Sequence, residues 1–339
     1  MTAARRLLPI LLFAVLPIAV AIGMFATAHS SNSLAADFHN ELYPEAKLLL
    51  DWTNPFPGPD AALEHGHNLI WPPVAAFLIA PLTVLPAGAA NWAIALIGLA
   101  CSLLSLRIVG VRDWRVYGVF ALWPSVIGEI RVSHLTPFLC VLLALAWRYR
   151  EVRFAPGLTI GLAGASLLLV LPFTSIEDYL RTLVELGKDF DQDSYSPFGF
   201  LMQIGVGETP ARVATYLLGA VLLIMCWRRA SLGLAVAAAL VLSPIVWLDY
   251  YAVAAVPLAI VRPRLSVAWF LPLATWGLLS AGIGAGNGWG SARVLIVFAV
   301  VFAVVVRAER QAEAEGESHR PATVGAPSAA HIDPKPSSG

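Results

Sequence analysis

Apolar residues come in blocks along nearly the whole chain, and the lengths of those blocks carry the first inference. A hydrocarbon core about 30 Å thick takes roughly 20 apolar helical residues to cross. Full-length blocks lie at 7–28, 89–106, 166–172 with a leader from 156, 210–227, 265–284 and 291–306, and shorter ones at 116–128, 135–147, 232–248 and 250–261. Together they predict an all-α integral membrane protein of about ten transmembrane helices within residues 1–306. Polar sequence collects in two long segments, 29–68 and 173–208. The tail 307–339 is rich in Ala, Glu, Ser and Pro and reads as disordered. One further apolar run, 74–85, follows Trp71-Pro72-Pro73. It reads as an interfacial or re-entrant helix, with the prolines in a first turn where missing N–H groups cost little.

Charge placement sets the orientation. Basic residues cluster at Arg5/Arg6, Arg107/Arg112/Arg115, Arg148/Arg150/Arg153, Arg228/Arg229, Arg262/Arg264 and from Arg307 onward. With Arg5/Arg6 inside and ten spans, all of these clusters face the cytoplasm, as do both termini. Sixteen of the 22 Lys and Arg then lie inside, and 15 of the 22 Asp and Glu outside. Cytoplasmic loops carry the Lys/Arg excess in membrane proteins, so the chain is expected to be a multi-pass cell-membrane protein with the two polar segments outside. Had 74–85 crossed the bilayer, every later basic cluster would be inverted.

Composition agrees: 13% of residues are charged and 58% hydrophobic, against about 25% charged in a soluble domain. Cys101, Cys140 and Cys226 all fall in apolar blocks and read as packing residues, so no disulfide framework and no metal cluster is expected. There is no phosphate-binding glycine loop, dinucleotide fingerprint or nucleophile elbow. No cofactor and no nucleic-acid partner is expected.

Candidate chemistry lies on the outer side. Asp37 stands just past the first span, followed by Tyr43 and then Asn54-Pro55-Phe56 and Trp71-Pro72-Pro73. Ser133-His134-Leu135-Thr136-Pro137-Phe138 opens a later span. Ser243-Pro244-Ile245-Val246-Trp247-Leu248-Asp249-Tyr250-Tyr251 ends another. In this order the three motifs resemble glycosyltransferase family 87, membrane enzymes of GT-C type that move mannose or arabinofuranose from a polyprenyl-phosphate sugar. Two features depart from that pattern. Asp249 stands where it usually has His, and one helical hairpin after residue 157 is missing, giving ten spans in place of twelve.

The resemblance implies a polyprenyl-phosphate sugar donor and a glycolipid or polysaccharide acceptor on the non-cytoplasmic face. Transfer with inversion needs one base for the acceptor hydroxyl and cationic or hydrogen-bonding groups for the departing phosphate. Asp37 is the candidate base, against an ordinary interfacial carboxylate. Arg131 and His134, beside Glu129, are candidates for the donor phosphate, against a Glu129–Arg131 pair that merely ends a helix. Lys47 and Arg212 are weaker candidates, since either can snorkel. Asp249, Tyr43, Trp71 and Glu129 are candidates for acceptor or sugar contact. For Asp249 the alternative is loop solvation, and for Trp52, Phe56 and Trp71 an interfacial aromatic belt. His65-Gly66-His67 reads as solvated loop, and Glu177, Asp178, Glu185, Asp189, Asp191 and Asp193 as a solvated acidic face. The rival reading is a transporter or flippase of lipid-linked sugars, and a third is an inactive relative. A transporter would bury ionisable residues at mid-span, where this sequence has almost none.

The charge parity makes a direct prediction. Single cysteines introduced at 112 or 150 stay unlabelled by an impermeant thiol reagent in intact cells, while one at 67 is labelled. Labelling at 112 or 150 overturns the orientation.

Overall fold

The computed structural model describes residues 3–56, 73–149, 164, 167–190, 193–243, 245–278 and 287–318. The chain is all helical, with no strand among the described residues. Helix α1 runs unbroken through Ala3–Ile10, a π turn at Leu11–Val15, and Leu16–Ser30. Helix α2 combines a π turn, Phe38–Leu42, with Tyr43–Leu50. Then come α3 (Pro73–Ile79, tightening into a 3-10 turn over Ala80–Val84), α4 (Ala87–Ile108), α5 (Trp114–Ala121), α6 (Pro124–Ile127), α7 (Glu129–Val132) and α8 (Thr136–Tyr149). The second half contains α9 (Ile176–Phe190), α10 (Pro197–Gln203), α11 (Glu208–Arg229), α12 (Leu232–Leu242), and α13 (3-10 over Leu248–Ala254, then Ala255–Val261). It closes with the 3-10 helix α14 (Val267–Leu278) and the long α15 (Gly288–Ser318).

Among the described residues, four helices are long and apolar enough to cross a membrane: Leu7–Ser30, Ala87–Ile108, Glu208–Arg229 and Gly288–Ala312. They keep large aliphatic side chains such as Ile22, Leu96, Leu217 and Ile296 exposed, a surface suited to lipid rather than water. Five more apolar helices are shorter, including Pro73–Val84. At about 1.5 Å per residue all five are roughly 16–21 Å long, short of a full crossing as single helices, so helix length accounts for four of the ten expected spans among the described residues.

Breaks, not continuous spans, mark the middle of the chain. The block 116–128 is interrupted at Leu122-Trp123, because Pro124 has no N–H to continue the helix. The freed Leu122 carbonyl accepts from the Trp276 indole N–H (2.8 Å), and the Trp123 indole N–H donates to the Trp269 carbonyl (2.8 Å). Broken helices in apolar surroundings require such substitutes. Helix crossings are close where glycine permits: a Cβ on Gly118 would run into the Phe13 carbonyl of α1, and one on Gly219 into Leu242.

Two expectations change. The tail is not disordered from 307: α15 continues to Ser318, built from good helix formers. Glu309 anchors it to the start of α12, accepting from the Ser231 hydroxyl and from the Gly233 N–H (3.2 Å). The segment 173–208 is largely helical. Its helix α9 is capped by Ser175, whose hydroxyl accepts from Asp178 N–H (3.0 Å). Most of the block 156–172 lies outside the described residues.

A separate apolar cluster gathers Phe38, Leu42, Leu49, Phe56, Ile79, Ile94 and Tyr179 around α2, α3, α4 and α9. Glu45 is buried at its edge, and neither carboxylate oxygen is hydrogen-bonded among the described residues. Burial, with a smaller push from Glu41, raises its pKa to about 9. A carboxyl raised in the folded state contributes stability that is complete below 4.5 and is lost as pH rises toward 9. At pH 7 the loss is roughly 3 kcal/mol. Glu45→Gln is therefore expected to flatten the fall in melting temperature between pH 5 and 9. An unchanged pH profile would show that Glu45 is solvated.

Candidate functional site

Asp37, Glu129, His134 and Asp249, from three distant segments, meet in one cluster, and local structure explains how each arrives. After α1 the chain turns back on itself through Asn32 (φ 52°) and Ala35 (φ 53°), and Ala35 N–H donates to the Ile130 carbonyl of α7 (3.2 Å). That tie sets Asp37, at the mouth of the π turn Phe38–Leu42, against the end of α7. Single π turns inside helices occur often at functional sites.

Helix α7 ends at Ser133, held left-handed at φ 57°, with its hydroxyl on the Glu129 carbonyl (3.1 Å). The reversal points the His134 N–H at Glu129 Oε2 (2.9 Å). His134 Nε2 then meets Asp37 Oδ2 at 2.5 Å, and its Nδ1 meets Asp249 Oδ2 at 2.7 Å. Thr136 Oγ1 donates to the same Asp249 oxygen (3.3 Å). Tyr250 sets its ring edge-on to the imidazole, 5.7 Å between centroids. Asp249 is brought in by the first turn of α13. The strand-like approach to it is pinned where Val246 N–H donates to the Ser194 hydroxyl (2.8 Å) and Tyr251 OH to the Tyr195 carbonyl (2.9 Å).

Burial divides the cluster. Glu129, His134 and Asp249 are buried, whereas the Asp37 side chain keeps 26% of its surface open. Burial opposes charge on His134, but the carboxylates of Asp249 and Asp37 outweigh it and hold the imidazole well above the usual histidine range. With a carboxylate on each nitrogen, both positions act as donors, as in the charged ring. Burial, together with repulsion from Asp249, raises the Glu129 carboxyl well above its usual range. Glu129, His134 and Asp249 place ligand atoms within 4.8 Å of one another, a spacing a cation could use. The 2.7 Å Nδ1–Oδ2 contact is that of a charge-assisted hydrogen bond and occupies that position with a proton.

The remaining candidates lie elsewhere or play other parts. The Glu129–Arg131 pair does not form: Glu129 turns to the His134 N–H, and half-buried Arg131 has no ion pair among the described residues. His134 has both nitrogens on carboxylates, so it orients Asp37 and has no N–H directed at a donor phosphate. Asp249 is not in solvated loop. Lys47 is exposed over the Tyr43 ring (5.8 Å), and the Tyr43 hydroxyl donates to the Leu85 carbonyl (2.8 Å). Arg212 pairs with Glu208 (2.7 Å). Trp71, His65 and His67 lie outside the described residues. Thr136, Ser194 and Tyr250 support the cluster without having been singled out. Thr136 and Tyr250 each sit beside a candidate in sequence, a signal that was available.

No family model, curated protein or solved structure matches the chain.

Removing one partner of a buried ion pair commonly costs about 3–5 kcal/mol, because the other charge is stranded. His134→Ala and Asp249→Ala are each expected to destabilise by about that much. The double variant is expected to cost clearly less than the sum. Additive losses in a denaturation series would mean that the pair does not hold the fold.

Proposed function

We propose that the protein is a ten-span membrane glycosyltransferase with cytoplasmic termini, moving a sugar such as mannose or arabinofuranose from a polyprenyl-phosphate donor to a glycolipid or polysaccharide on the outer face. The observation that carries this reading is convergence. Asp37, His134 and Asp249 belong to three sequence motifs that together resemble glycosyltransferase family 87, and His134 hydrogen-bonds both carboxylates, with Glu129 on its backbone N–H.

In this mechanism the open side of Asp37 receives the acceptor hydroxyl. The O–H proton passes to the Asp37 carboxylate as the oxygen bonds to the sugar's anomeric carbon from the face opposite the lipid phosphate. The carbon–oxygen bond to phosphate breaks, its electron pair leaves with the phosphate, and the configuration inverts. Arg131, three residues before His134, is the cation available to the departing phosphate. His134, anchored by Asp249, which Thr136 holds in turn, keeps Asp37 in one orientation. Positioning of this kind matters because a 1 Å displacement of a catalytic group costs about 10²-fold.

The transporter reading gains one observation from the structure. Glu129, His134 and Asp249 are buried together, as ionisable residues on a proton or substrate path often are. Chemistry separates the two readings. Purified protein given labelled polyprenyl-phosphate mannose and crude lipid acceptors is expected to form a glycosylated product. Movement of the lipid across vesicles without product would favour transport.

A positioned base contributes about 10²–10⁴-fold, so Asp37→Asn is expected to cut transfer by about that factor while leaving folding and donor binding near wild type. Asn keeps the size and one acceptor oxygen but cannot take the proton. Glu41→Gln, in the same helix, is expected to retain turnover. Full turnover in Asp37→Asn would reassign the base.

A further inference from the structure

Helices α4 and α8 pack side by side, and their last turns carry Arg107 and Arg148. The chain leaves α4 through Val109 and Gly110, where φ is +95°, and brings Arg112 back toward the same place. The three arginines, with Ile108, Val109 and Gly110, line a cavity of about 420 Å³. That volume falls within the range of about 300–1,000 Å³ usual for small-ligand pockets.

Among the described residues, nothing acidic lines this cavity. The nearest carboxylate in sequence, Asp113, is committed elsewhere. It accepts from Arg115 Nε (2.9 Å) and Nη2 (2.8 Å) and from Leu265 N–H (3.0 Å). Among the described residues, the side chains of Arg107, Arg112 and Arg148 form no ion pair. Three guanidinium groups around one concavity set up a positive potential that favours an anion between them. Each presents a planar fork of donors that matches phosphate oxygens two at a time.

We propose that this cavity binds a phosphate group, carried by the headgroup of an anionic phospholipid. It opens at the ends of two apolar helices, and charge parity puts those ends on the cytoplasmic side. Basic pockets between membrane helices on that side take anionic headgroups. The site is independent of the outer cluster, and it stands whether or not the protein transfers sugar.

The test uses the full-length protein in phosphatidylcholine nanodiscs with and without phosphatidylglycerol, reading retained lipid by native mass spectrometry and melting temperature in parallel. Wild type is expected to retain phosphatidylglycerol over phosphatidylcholine. Arg107→Gln and Arg148→Gln are each expected to weaken that retention about fivefold, the usual worth of one basic residue near an anionic surface. Arg264→Gln, exposed in another basic cluster of the same side, is expected to leave it unchanged. If millimolar inorganic phosphate in pure phosphatidylcholine raises the melting temperature of wild type but not of the two variants, the site stands with a soluble phosphate as its source. Absence of any phosphatidylglycerol preference and of any phosphate effect in wild type overturns the proposal. So does an equal loss in Arg264→Gln, which would reduce the effect to general surface charge.

Discussion

The imidazole of His134 between two carboxylates is the interaction on which the rest of the arrangement depends. One nitrogen holds Asp37, delivered by the turn after α1, and the other holds Asp249, delivered by α13. Without the ring, two acidic groups would face each other with Glu129 behind them in apolar surroundings. With it, three remote segments are locked into one register. The helix breaks exist to allow this. The left-handed Ser133 ends α7 early, the Pro124 break shortens the preceding helix, and the π turn of α2 stands directly after Asp37. Each irregularity sacrifices backbone hydrogen bonds that a straight span would have kept, and side chains such as Trp276 replace some of them.

The site is asymmetric in a way that suits its proposed use. The anchoring side, at Asp249, Thr136 and Glu129, is buried, and the working side, at Asp37, is partly open. A base must reach substrate while its orientation is fixed from behind, and the same division recurs wherever a carboxylate–histidine pair positions a reactive group. The basic cavity at the ends of α4 and α8 shares no residue with this cluster. Its arginines are attached to the same two helices that flank α5–α7, so a lipid there would brace the frame that holds the outer cluster.

Hydrophobic block lengths made much of the fold legible, because the apolar stretches of α1, α4, α11 and α15 follow directly from composition. The interrupted elements were less legible. The block 116–128 reads as one span, yet a single Pro124 divides it, and the break is closed by indole hydrogen bonds to partners 146 and 154 residues away. The helical start of the tail was missed because a polar, Ala- and Glu-rich sequence looks unstructured until Glu309 finds Ser231 and Gly233. At the site, residue types identified Asp37, Glu129, His134 and Asp249, but not their relations. His134 reads as a phosphate ligand and Asp249 as an acceptor contact or solvated loop residue, because their 115-residue separation hides that they bind each other. The burial of Glu45 is not legible either, since its sequence neighbourhood, with Glu41, Lys47 and Asp51, is polar.

The central claim is that the open edge of this buried triad is where a lipid-phosphate sugar reacts. An experimental structure of the protein with a bound polyprenyl phosphate tests it most directly. The account predicts phosphate density on the Asp37 side of the cluster within reach of Arg131, with the Asp37–His134–Asp249 contacts intact. Phosphate bound away from the cluster, with the open face of Asp37 empty, would contradict it.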